Sequence, residues 1–377
     1  MTMIEVAAIE GRGKGVIASG GVKAGDIILR DSPLLLYSPN PNSSNSRLYC
    51  ANCFKSIASI PSHSLLITCP SCAMGAVFCS TNCRSTALST SHSPWVCNAL
   101  LSISSHHHRH HSDDFIAQAR FLVAAYNLSS HSPADFHLLL SLQGGTHSQP
   151  QGHEREQAVA LHSLIASLNP PSSFPLASPG LTAALLAVDK FNAFGLMEPF
   201  DPASPHRNVR SYAIYPKASS FNHDCLPNAC CFDMLDNPTG SGGNCDMIVR
   251  AIHDISQGRE ICISYFPVNW NYADRQRRLS EDYGFECGCD RCQVESKWKH
   301  QDHEDEDDSM EDDEDDDFPH AYFFLNFLCD TDNCWGTLAP LPPSEASQPN
   351  LMECNVCGRL CTKELDFKND DEDMQDD

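Results

Sequence analysis

The sequence predicts a mixed α+β protein built from small sheets, and three observations carry that expectation. Short apolar runs bounded by glycine or asparagine turns stand near the N-terminus and again between residues 210 and 265. Apolar residues recur at helical spacing between residues 115 and 192. Twenty cysteines, most of them closely spaced, mark small metal-stapled modules. With 377 residues and 41% hydrophobic content the chain has room for two or three domains and a buried core.

Composition narrows the setting. Met1 to Gly15 contains no apolar signal-like run, so a reducing compartment is expected, and cysteine pairs there read as zinc thiolates rather than disulfides. No apolar stretch approaches the roughly 18 residues that span a bilayer, and no membrane contact is expected. The net charge of −24 is uneven: residues 301–317 hold thirteen Asp/Glu and residues 370–377 six more, leaving about −5 for the body. These runs read as a solvated linker and tail. Direct nucleic-acid binding is disfavoured by this field, which suits a basic peptide or protein partner better.

Residues 1–37 read as strand, turn, strand: Ile4 to Ala8, the glycines Gly11, Gly13 and Gly15, then Val16 to Ala18, and Asp26 to Leu29 leading to Leu34–Leu36. The segment continues as strand after the glycines, which excludes a dinucleotide fingerprint. A polar linker at 38–48 leads into Cys50-x2-Cys53, Cys69-x2-Cys72, Cys79-x3-Cys83 and His92-x4-Cys97. Eight donors in so short a stretch make two closed, four-ligand zinc sites. The order, with Val77 to Cys83, resembles a MYND zinc finger, which implies Cys50, Cys53, Cys79 and Cys83 on one zinc and Cys69, Cys72, His92 and Cys97 on the other. The gap after His92 is a little longer than is usual in that family. MYND fingers take proline-containing peptides, so either a binding or a structural role follows.

The His106–His111 run sits in a serine-rich stretch and reads as a polar loop. Helices are expected over Phe115 to Leu128, where Asp113 and Asp114 suit the N-terminus, and over Ala134 to Leu142, Glu154 to Leu168 and Leu181 to Asn192. Arg210 to Tyr215 and Asp246 to Ala251 read as strands, and Ile255 to Tyr265 as a turn and alternating strand ending in Tyr. Between them lies the polar island Ser219 to Ala229, containing Asn222-His223-Asp224-Cys225. Cys287-x-Cys289-x2-Cys292 supplies three thiolates where zinc wants four, and Cys225 is the natural fourth.

The Asn-His island, the glycine segment, the strand ending at Tyr265 and the segment Phe191 to Leu196 together resemble the SET-domain lysine methyltransferases of the SET and MYND type, in particular the plant ASH1-related proteins. That resemblance implies a β-rich fold with a C-terminal knot, split by the finger and a helical insert, so that strands from residues 1–37 pair with strands after residue 190. It implies S-adenosyl-L-methionine as methyl donor, contacted by Arg12, Gly13, Lys14, Gly15, Asn222 and His223 through backbone and side chains, with Tyr265 and Phe285 beside it. Tyr283 and Tyr265 match the catalytic positions. Phe194, Tyr265 and Tyr283 would line the lysine channel, although Phe194 also suits a buried core.

Past residue 300 the animal SET and MYND pattern stops. Cys329-x4-Cys334 and Cys354-x2-Cys357, with a 19-residue spacer, read as a zinc ribbon. Sixteen donors then serve about four zincs, and Cys230, Cys231, Cys245, Cys262 and Cys361 remain as small buried hydrophobes. The expected organisation is a split catalytic core at 1–48 and 196–270, a finger at 49–100, an insert at 101–195, a post-SET zinc segment at 271–300, an acidic linker at 301–318, the ribbon at 319–365 and an acidic tail at 366–377. The function expected is methyl transfer to a lysine of a histone tail or another protein, by a monomer in the nucleus with a cytoplasmic pool. The alternative is a catalytically silent adaptor that recruits partners through its finger.

Overall fold

The computed structural model describes residues 3–39, 48–57, 66–106, 112–145, 152–171, 178–204, 207–236, 243–298, 320–343, 345 and 350–363. Most of the histidine run and both acidic segments lie outside them.

Four strands open the chain: β1 (Ile4–Ile9), β2 (Gly13–Ala18), β3 (Ile27–Asp31) and β4 (Leu35–Tyr37). Then comes the cysteine-rich module, with β5 (Ile67–Cys69), β6 (Ala73–Phe78) and α1 (Thr81–Ser89), the last started by Ser80, whose hydroxyl accepts the Cys83 N–H at 3.0 Å. Helix α2 (Pro94–His106) runs through residue 100, so module and insert share one continuous helix. The insert follows as α3 (Asp113–His131), α4 (Pro133–Leu140), α5 (Gly152–Ser167) and α6 (Pro179–Asn192). The signals that start these helices are local. Ser112 and Ser178 cap α3 and α6 by accepting N–H groups of Phe115 and Leu181, and prolines open α4 and α6. Ile116, Ala119, Leu122, Val123 and Tyr126 recur at three- and four-residue intervals and bury one face of α3 against Leu139, Leu161, Ile165 and Leu185.

The second half holds β7 (Ala193–Met197), β8 (Val209–Ile214), β9 (Asn222–His223), β10 (Ala229–Asp233), β11 (Met247–Ala251) and β12 (Glu260–Ile263). Helices α7 (Tyr272–Arg278) and α8 (Asp290–Glu295) follow, and α9 (Ala321–Phe327) precedes β13 (Leu338–Pro340), β14 (Leu351–Cys354) and β15 (Leu360–Thr362). The sheet orders are β1-β2-β12-β9, β10-β11-β3, β4-β8-β7, β13-β14-β15 and β5-β6. Strands β2, β3 and β4 thus pair with β12, β11 and β8, and the two ends of the catalytic core meet across the insert as the resemblance implied. The expected strand ending at Tyr265 is shorter than its alternation suggests, because Ile255 bridges Val22 and the chain turns before Glu260. Strand β10 begins where the polar island Ser219 to Ala229 ends and carries Cys230 and Cys231.

Val16, Ile28, Tyr215, Phe221, Val249 and Ile261 form the core of the split body, and Phe54 of the zinc module is part of it. Buried Arg210 fastens that junction. It donates to Asp236 at 2.7 Å, Glu198 at 3.1 Å and the Phe54 carbonyl at 3.2 Å, and stacks over Tyr49. A third core joins the C-terminal sheet to the body through Phe232, Ile252, Val268, Phe323 and Phe327. Among the described residues no helix is long and apolar enough to cross a membrane.

Candidate active site and its zinc clusters

Strand β9 runs parallel to β12, with Asn222 opposite Cys262 and His223 opposite Ile263, while β2 flanks β12 on its other edge. Parallel strands so close in sequence need a chain crossing, and Asn228 fastens it: its amide donates to the Glu260 carbonyl at 2.9 Å and accepts from the Cys262 N–H at 2.8 Å. The Glu260 carboxylate collects the site's polar side chains. It accepts from Asn222 Nδ2 at 2.8 Å and from Arg12 at 2.6 Å, and Arg12 also donates to the His223 carbonyl. Gly15 explains its own identity: a Cβ there would lie 2.7 Å from Asn222 Nδ2 and 2.8 Å from the Glu260 carboxylate. Arg12, Gly13 and Lys14 stay exposed along the start of β2.

The His223 ring is buried, and both nitrogens are committed. Nδ1 accepts the Tyr265 N–H at 3.1 Å, which places the proton on Nε2, 3.3 Å from Cys225 Sγ. Burial holds this imidazole neutral, lowering its pKa to about 3. The His223 ring thus joins the Cys225 sulfur to the backbone of Tyr265. Asn222 is half-buried and faces the glycine strand.

Tyr265 stacks obliquely on Tyr283, with ring centroids 4.8 Å apart, and its hydroxyl donates to the Phe221 carbonyl at 3.0 Å. Burial raises the pKa of both phenols. Tyr283 ends a widened helical turn, Leu279–Tyr283, which Gly284 terminates at φ 75°, a left-handed conformation natural to glycine. Phe285 comes out of that turn exposed. Phe194 is half-buried edge-on to Tyr215, 5.6 Å between centroids, beside the body core.

Among the described residues four donor clusters converge, each with ligand atoms within 4.8 Å of one another: Cys50, Cys53, Cys79 and Cys83; Cys69, Cys72, His92 and Cys97; Cys225, Cys287, Cys289 and Cys292; Cys329, Cys334, Cys354 and Cys357. Sulfurs around a zinc stand roughly 3.8 Å apart, and sulfur and imidazole nitrogen roughly 3.6 Å. The separations fit: 3.7 Å for Cys53–Cys79, 4.0 Å for Cys69–Cys97, 3.5 Å for Cys72 to His92 Nε2, 3.5 Å for Cys225–Cys292 and 3.7 Å for Cys329–Cys357. Burial lowers the His92 pKa, which keeps its ring neutral and suited to a metal. All these cysteines are free thiols, so the donor sets fit zinc. Of the leftover cysteines Cys230, Cys245 and Cys262 are buried, whereas Cys231 and Cys361 are only half-buried. Cys245 also donates to the Cys53 carbonyl at 3.1 Å.

Arg275, Arg291 and Glu295 bear on this site without a signal in the sequence, because charges on short helical segments read as solvated faces.

The chain belongs to the SET-domain family: the SET domain model matches residues 13–266. It is 46% identical to the histone-lysine N-methyltransferase ASHR2 of Arabidopsis thaliana over 97% of this chain and 96% of that one. It is also 30% identical to the N-lysine methyltransferase SMYD2-B of Danio rerio over 47% of this chain and 37% of that one. Human histone-lysine N-methyltransferase SMYD3 is 31% identical over 29% of this chain and 24% of its own length.

Proposed function

We propose that the protein transfers a methyl group from S-adenosyl-L-methionine to a lysine side chain, with histones as the leading substrate class, in keeping with its near full-length similarity to ASHR2. The observation that carries this is the Tyr265–Tyr283 pair standing beside β9, where Asn222 and the side-chain-free backbone of Gly15 come together. Backbone, carboxamide, guanidinium and the exposed Phe285 ring suit a donor that has an amino-acid end and an adenine ring. When bound, that donor supplies an electrophilic methyl group on a sulfonium.

The residues' own roles follow from their chemistry. A lysine amine has a pKa near 10.4 and must be neutral to attack. Both tyrosines keep their protons, so neither acts as the base; they orient the amine and exclude water, and the proton leaves before the channel closes. Alignment then supplies most of the rate advantage. Arg12 and Glu260 hold Asn222 in place for the donor.

The cysteine-rich module we assign to the MYND class, fastened by Arg210 and Phe54, which favours a structural role with any peptide partner meeting its outer face. Action on histones places the enzyme in the nucleus. Calorimetric titration with S-adenosylmethionine and a tritium-transfer assay over histones and peptide arrays test the proposal. Donor binding and transfer to a lysine are expected; absence of donor binding to the zinc-loaded protein refutes it.

A further inference from the structure

The cluster of Cys225, Cys287, Cys289 and Cys292 has a buried arginine bonded to its sulfurs. Four thiolates on one zinc leave roughly two uncompensated negative charges. Cys287 and Cys289 reach solvent, whereas Cys225 and Cys292 are buried, at 0% and 2% exposed. Water cannot meet their charge, and Arg275 stands against them. Its side chain is fully buried; Nε donates to Cys225 Sγ at 3.3 Å and Nη2 points at Cys292 Sγ at 3.6 Å. In the C-terminal cluster the donors to Cys354 Sγ are backbone N–H groups of Val356 and Cys357 instead.

Arg275 is itself fixed. Nη2 reaches Glu295 at 2.7 Å and Nη1 donates to the Trp270 carbonyl at 2.6 Å. A second buried arginine, Arg291, holds the other Glu295 oxygen at 2.6 Å, donates to the carbonyls of Val268 at 2.6 Å and Trp270 at 3.1 Å, and carries Phe324 of α9 on its face. Cys225 Sγ accepts on its other side from His223, whose ring accepts the Tyr265 N–H.

We infer that Arg275 is a positioning residue: it compensates the buried Cys225 and Cys292 thiolates, retains the zinc they share, and through Cys225 and His223 sets the backbone of Tyr265. The role given to Tyr265 rests on the methyltransferase proposal; zinc retention does not. Removing Arg275 is selective, because Glu295 and the Trp270 carbonyl both keep Arg291. Both sulfurs lose the guanidinium charge, and Cys225 keeps only the His223 ring on its other side.

The test uses the full zinc-loaded chain and no methyl transfer, so it succeeds or fails independently of activity. R275M and R275K are mixed with a chromogenic zinc chelator, the freed cysteines are alkylated and mapped by mass spectrometry, and deuterium exchange is followed at the Tyr265 amide. R275M is expected to release one zinc roughly 10- to 100-fold faster than the native chain, a range common when a group bonded to a metal ligand is lost. Alkylation should fall first on Cys287 and Cys289, and Tyr265 exchange should rise. R275K keeps the charge without the fork and is expected between the two, which retains a readout should R275M fold poorly. Native release rates in both variants overturn the inference. So does accelerated release from another cluster, or from this one with Tyr265 exchange unchanged.

Discussion

Tyr283 offers a hydroxyl at the end of a turn whose shape Gly284 permits, and its ring lies on Tyr265. Removing that hydroxyl keeps the ring and deletes one oriented donor, so Tyr283→Phe should lower kcat roughly 100-fold while donor affinity measured by calorimetry stays near native. Full transfer by Tyr283→Phe on a proven substrate would exclude the assignment. Gly15 is a second residue whose identity geometry dictates. In Gly15→Ala the new Cβ must displace Asn222, Glu260 or Ile9, which crowd to within 2.8 Å. Overpacking of this kind costs about 1–3 kcal/mol. The expected result is weaker S-adenosylmethionine binding, read by titration, with secondary structure unchanged by circular dichroism.

At the scale of elements, one half-buried acid ties the helical insert to the split body. Asp189 of α6 accepts the Tyr37 hydroxyl of β4 at 2.6 Å, and burial raises its pKa to about 7. An unfolded aspartate titrates near 3.9, so between about pH 4 and pH 7 the native state holds more protons than the unfolded chain. Stability contributed by protonated Asp189 is therefore complete below about pH 4 and is lost as pH rises through about 7. Denaturant titrations should show that slope in the native chain and lose it in Asp189→Asn, which keeps an acceptor without the charge. A second junction depends on Arg210. Arg210→Ala leaves Glu198 and Asp236 without their buried cation, and breaking such a network costs about 3–5 kcal/mol. Because the module's zinc ligands are local to it, metal analysis should still find both of its zincs while limited proteolysis cuts near residue 56.

Over the whole molecule, the C-terminal sheet is part of the fold and not an appendage. Leu338, Ala339 and Met352 share a core with Phe232, Ile252 and Val268, and Arg250 pairs with Glu353 at 2.8 Å. A chain ending at residue 298 would expose that core, so its Tm should fall and apolar dye binding rise. Metal analysis of the full chain should give about four zincs. Cys225→Ser should lose one of them and loosen the Tyr265–Tyr283 pair, reducing transfer even though no donor-contacting residue has changed.

Helix signals and metal spacing were written locally and could be read locally. Ser112 and Ser178 announce their helices, and x2 spacings announce thiolate pairs, because caps and chelates are closed within a few residues. The Asn-His stretch likewise stood out by composition. What sequence could not show was which distant group each residue would meet: that Gly15 is small for the sake of Asn222, or that Glu260 gathers Arg12 and Asn222. Tertiary structure alone decided that His223 serves the Cys225 sulfur and that Arg275 is buried against it. A charged side chain acquires its function here from partners brought in by folding, and its own neighbours in the chain carry no record of them.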